Sequence, residues 1–139
     1  KDPIYEPLIK KIERLVAEWR DRKIGEREAC QRLLALVEEA SELERREKEM
    51  ERLGLTREAS FVLFVLERHL GKSEALLWEV KDMFSRLNRA GKLFEGWNRK
   101  PSVLKEVMKE IRRYLRKKGL PIEKREEICD EIYKGLKSL

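Results

Sequence analysis

Histidine, cysteine and the side-chain amides are scarce in this chain of 139 residues, and each scarcity removes a class of chemistry. His69 is the only histidine, so neither a two-His zinc site nor a Ser-His-Asp arrangement can be assembled. Its place at the end of a predicted helix suits the negative end of the helix dipole. Glu38 and Glu42 share one helical face, but no Glu-x-x-His accompanies them, which argues against a di-metal bundle site. No G-x-x-x-x-G-K-[ST] loop is present, so ATP is not held by that route. Matches to an Asp…Glu-x-Lys nuclease pattern, such as Glu106 with Lys109, are expected by chance in so Glu- and Lys-rich a chain. Nothing therefore predicts a catalytic set, a metal, a cofactor or a small-molecule substrate. Cys30 and Cys129 stand apart in helical contexts and read as small buried apolar thiols, not as a disulfide framework.

Gln31, Asn88 and Asn98 are the only carboxamides, while 43% of the residues are charged. That usage is typical of thermophilic proteins, in which ion-pair networks gain value with temperature. No apolar run approaches the ~18 residues of a membrane span, and no signal peptide is visible, which predicts a reduced, cytoplasmic setting. The opening Lys1-Asp2-Pro3 lacks an initiator Met and reads as the start of a piece of something larger.

With only four prolines and seven glycines, little interrupts helix. Leu8, Ile12, Leu15, Val16 and Trp19 repeat at three and four, predicting one inward face for a first helix that Ile24-Gly25 ends. A longer second helix is predicted over 26–53, carried by Ala29, Leu33, Leu36, Val37, Ala40 and Leu43. Its charged half, ELERREKEMER, reads as a solvated extension with i,i+4 pairs. Thr56 caps a third helix whose run FVLFVL predicts burial, and Ser73 caps a fourth with Leu77, Val80, Phe84 and Leu87 inward. A loop follows, then a fifth helix over 102–118 and a sixth bearing Ile128, Ile132 and Leu136. The expectation is an all-α, single compact domain of about six helices, the second long. It comprises a helical lead-in over 1–53, a core over 54–121 and a final helix over 122–139.

The fifth helix is the most informative. At about 100° per residue, Val103, Val107, Ile111 and Tyr114 share one face. Lys105, Lys109, Arg112 and Arg116 share the opposite one, with Arg113 and Lys117 alongside. Residues 86–118 hold twelve Lys/Arg against three acids, whereas residues 26–58 hold ten acids against seven bases. The net charge of +6 is therefore local. Such a face suits phosphate, since each neutralised phosphate releases counterions. It reads equally as the solvated side of a helix in a Lys/Arg-rich protein. The near absence of amides argues against reading adenine edges.

The stretch WNRKPSVLKEVMKEIRRYLRKKGLP resembles the C-terminal helical region of the restriction (R) subunit of type I restriction–modification enzymes. Trp97 is followed at six by Val103, then Val107 and Ile111, with Arg112-Arg113, Leu115, Arg116-Lys117, Gly119 and Pro121 in the family's register. Gly54-Leu55-Thr56-Arg57-Glu58-Ala59, then Phe61 and Leu66, is similar to the family's Leu-Thr-x-x-Glu element. Gly96 departs from the family's Asp before the Trp, and Asn98 is expected to replace that helix-entry group in part. The resemblance implies a non-catalytic assembly domain that docks an ATP-dependent DNA translocase and endonuclease onto the methyltransferase core. Its partners would be the methyltransferase and specificity subunits, with the backbone of double-stranded DNA as a further contact. ATP and Mg²⁺ would belong to motor and nuclease domains outside this segment.

Candidate contacts to DNA or partner are Arg99, Lys100, Lys105, Lys109, Arg112, Arg113, Arg116 and Lys117. Trp97 reads either as a docking anchor or as core filling. The alternative is a stand-alone basic helical protein that binds nucleic-acid backbone non-specifically.

Overall fold

Pro7 enters α1 (Glu6–Arg20) within its first turn, where a missing N–H leaves no bond unmade. The computed structural model describes residues 2–139, and among them there are six α-helices, one 3-10 turn and no strand. The helices gather into two compact units, residues 1–54 and residues 55–139.

The first unit is a helical hairpin of α1 and α2 (Glu26–Arg52). Three cross-helix pairs fix an antiparallel register. The Tyr5 hydroxyl donates to Glu47, Lys11 meets Glu39 at 2.7 Å, and Arg32 meets Glu18 at 2.8 Å. Leu8, Leu15, Ala29 and Leu36 form the buried seam, with Tyr5, Ile24 and Ala40 against it. The charged half of α2 carries the expected local pairs, including Arg45–Glu42 and Lys48–Glu44. Periodicity predicts a wider buried face than the hairpin has. Ile12, Val16 and Trp19 on α1, and Leu33 and Val37 on α2, are exposed. A single partner helix covers only one edge of each apolar stripe, and the rest of it stays open. Cys30 lies on that flank and is exposed, contrary to the buried thiol expected; Cys129 is buried.

The second unit is built on α3 (Arg57–Leu70). Its N-terminus is capped by the Thr56 hydroxyl, which accepts from the Ala59 N–H at 3.2 Å. Every residue from Ala59 to Leu66 is buried. A helix covered on all sides needs no amphipathic period, which is why FVLFVL runs apolar without a break. α4 (Glu74–Arg89), capped by Ser73 at 3.0 Å, packs on α3 with Leu76, Val80, Met83, Phe84 and Leu87 buried.

After a loop, a 3-10 turn, η1 (Trp97–Arg99), leads into α5 (Pro101–Lys117). α6 (Ile122–Ser138) then packs on α3, on α5 and on the turn. Gly135 in α6 faces Phe61 of α3 so closely that a Cβ there would overlap the ring. No described helix is long and apolar enough to cross a membrane.

Candidate functional site

α5 owes its position to a strictly divided surface. Val103, Leu104, Val107, Met108, Ile111 and Leu115 are buried, and this stripe seats the helix on its own unit. Lys105, Lys109, Arg112 and Arg116 fall within about 40° of one line along the opposite face. All four are exposed, as are Arg113 and Lys117. From Lys105 to Arg116 the line runs about 16 Å, the length of four or five phosphates along one DNA strand.

This face combines a line of like charges with a lack of counter-charges. Several other cations of the second unit are ion-paired. Lys118 meets Glu79 at 2.9 Å, Arg86 meets Asp82 at 3.0 Å, and Arg113 meets Glu110 at 3.2 Å. Among the described residues, none of Lys105, Lys109, Arg112, Arg116 or Lys117 takes part in an ion pair or a side-chain hydrogen bond. Arg112 stands near enough to Cys129 for its charge to oppose the burial that pushes the thiol's pKa up. Lys105, Lys109, Arg112 and Arg116 form an unneutralised row, Lys117 lies unpaired about 110° further round, and Arg113 is drawn aside to Glu110.

Half of the acidic margin of that row was not legible in the sequence, because Glu79 comes from another helix. The carboxylate of Glu79 on α4 accepts from Tyr114 Oη at 3.3 Å and from Lys118 Nζ at 3.1 Å. Hydrogen bonding to Glu79 holds the Lys118 ammonium above its usual range, so that lysine is satisfied internally. Burial, then the Glu79 charge, raises the Tyr114 hydroxyl. Glu110 likewise lies 3.9 Å from Arg86 and closes the α4 side.

At the N-terminal end of α5 the candidates separate. Trp97 is 5% exposed and lies in the turn that packs on α5 and α6, so its ring is core and cannot anchor a docking surface. Arg99 and Lys100 are exposed. The Arg99 guanidinium reaches the Leu139 carbonyl at 3.5 Å, and the Lys100 ammonium lies 5.6 Å from the Phe94 ring centre. Asn98 does not serve helix entry. The N-cap of α5 is Lys100, without a side-chain cap bond. The buried Asn98 amide instead donates to the carbonyls of Leu136 and Leu139, at 2.8 and 3.0 Å, and closes the end of α6. Gly96, in place of the family's Asp, has φ +80°, a left-handed conformation that favours glycine.

His69 has a partner as well as a helix end. It meets Glu131 of α6 at 3.0 Å, and Arg68 meets the same carboxylate. Burial raises the Glu131 carboxyl, but the hydrogen bonds from His69 and Arg68 outweigh it and hold the group below its usual range. This cluster ties α3 to α6. Among the described residues no three His, Cys, Asp or Glu side chains converge as a metal site requires.

No curated protein and no solved structure matches the chain at a significant level. One family model does, over residues 5–139, and it describes the C-terminal part of type I restriction enzyme HindI endonuclease subunit-like proteins. With nearly its whole length matched, the chain belongs to the C-terminal domain family of type I restriction enzyme endonuclease subunits.

Proposed function

We propose that this domain is a non-catalytic assembly module of a type I restriction R subunit, and that the basic face of α5 grips the DNA backbone alongside the methyltransferase core. The observation that carries this reading is the row of four cations without counter-charges, on a helix whose other face is buried. Lysine and arginine on an ordinary solvated helix acquire i,i+3 and i,i+4 partners readily, as α2 does. A row kept free of them is suited to an external polyanion. Duplex DNA carries one phosphate per about 3.4 Å of each strand, so the row matches several at once.

Family membership is in keeping with a setting in which the translocase and endonuclease of the parent subunit, with its ATP and Mg²⁺, would be tethered through this domain to the methyltransferase and specificity subunits. The stand-alone alternative uses the same face and differs only in needing no such core.

Gel-filtration co-elution with the cognate methyltransferase core, loaded with duplex, tests the reading. Wild-type domain should co-elute at low salt, and a variant reversed at Lys105, Lys109, Arg112 and Arg116 should not. Wild-type domain that co-elutes with plain duplex as well as it does with the loaded core would favour the stand-alone binder.

A further inference from the structure

The α1/α2 hairpin leaves six large apolar side chains in solvent: Ile12, Val16 and Trp19 on α1, and Leu33, Leu34 and Val37 on α2. Trp19 is 53% exposed and Leu34 66%. They are not scattered. Taking the buried seam of each helix as origin, both exposed sets lie about 20° to 140° further round in the same rotational sense. In an antiparallel pair, equal rotations from the seam point to the same side of the pair. The Lys11–Glu39 and Arg32–Glu18 pairs set the level, placing Val16 opposite Leu34 and Ile12 opposite Val37. The six therefore form one continuous apolar face on one side of the hairpin.

We infer that this face takes a second copy of the same hairpin, and that two chains complete an antiparallel four-helix bundle. A stripe wider than the two-helix seam is what a bundle helix carries when neighbours flank it on two sides. The exposed apolar area is on the order of several hundred Å² per chain, and two copies with their polar rims approach the total of about 1,200 Å² that a specific interface requires. Charge does not oppose the pairing. Residues 1–54 carry fourteen acids and thirteen bases, so like hairpins meet without net repulsion. Residues 55–139 carry twenty bases and thirteen acids, which leaves the polyanion-binding role to the other unit. The seam of Leu8, Leu15, Ala29 and Leu36 is a small core for the hairpin's length, and pairing would enlarge it.

Sedimentation equilibrium of the whole chain tests this. The expected mass is twice 16.7 kDa at micromolar concentration, falling toward one chain on dilution. Val16→Glu with Val37→Glu should weaken association by about 100-fold or more, because each buries a carboxylate against apolar surface. Circular dichroism checks that the variant stays helical. The α5 charge-reversal variant should still dimerise. A wild-type mass of one chain at every concentration up to the solubility limit would overturn the inference. So would a dimer that survives the double substitution, or one that the α5 reversal dissolves.

Discussion

Gly135 is the residue whose identity the packing dictates most strictly. Glycine inside a helix costs about 1 kcal/mol relative to alanine, so its presence mid-α6 asks for a reason. The reason is the Phe61 ring, itself buried, which occupies the place of a Cβ. Gly135→Ala should therefore lose about 1–3 kcal/mol through overpacking, despite the better helix propensity, and lower the melting temperature. Nothing in the local sequence signals this, because the ring arrives from a helix over seventy positions earlier.

Glu131 makes a different kind of claim at the same scale. Its carboxyl is held below the usual range by His69 and Arg68, against burial. Its stabilising contribution is thus complete above the ordinary carboxylate pKa and is lost as pH falls through the lowered folded-state value. Glu131→Gln should lower the melting temperature at neutral pH, and the two melting curves should converge in acid, below about pH 4. A difference that stays constant down to acid pH would mean the carboxylate contributes by packing alone.

Individual helices differ in how well their sequences foretell them, and the difference is one of coverage. α3 was readable because unbroken apolarity and burial on all sides are the same fact. α5 was readable because its two faces are as distinct in residue type as they are in solvent exposure. α1 and α2 misled: periodicity predicts which residues share a face but not whether another helix arrives to cover it. Ile12, Val16 and Trp19 keep the right spacing and remain exposed. The candidate row on α5 was legible as charge. Its lack of counter-ions was not, since Glu79 and Glu110 could have faced it and instead engage Lys118, Arg86 and Arg113. Asn98 belongs here too. One buried amide satisfies two carbonyls at the end of α6 from 38 and 41 positions away. Asn98→Ala should remove the donor to the Leu136 carbonyl and leave Leu139 only the long Arg99 contact, cost about 1–3 kcal/mol, and increase amide exchange over the last turn of α6. An unchanged exchange pattern there would show that the turn does not hold the helix end.

For the molecule as a whole, the division of charge is the organising fact. The hairpin unit is near neutral and apolar on one side, and the unit of α3 to α6 is strongly basic. Each unit then has its own kind of surface: one suited to another helix pair, the other to a polyanion. We propose that the row on α5 binds DNA backbone. The most direct test is the affinity of the chain for a plain duplex measured across salt concentration. Four engaged cations predict a slope of log affinity against log salt of about −3.5, with no preference among sequences. Reversal of Lys105, Lys109, Arg112 and Arg116 should abolish the binding. A slope near zero, or binding that outlasts the reversal, would contradict the account.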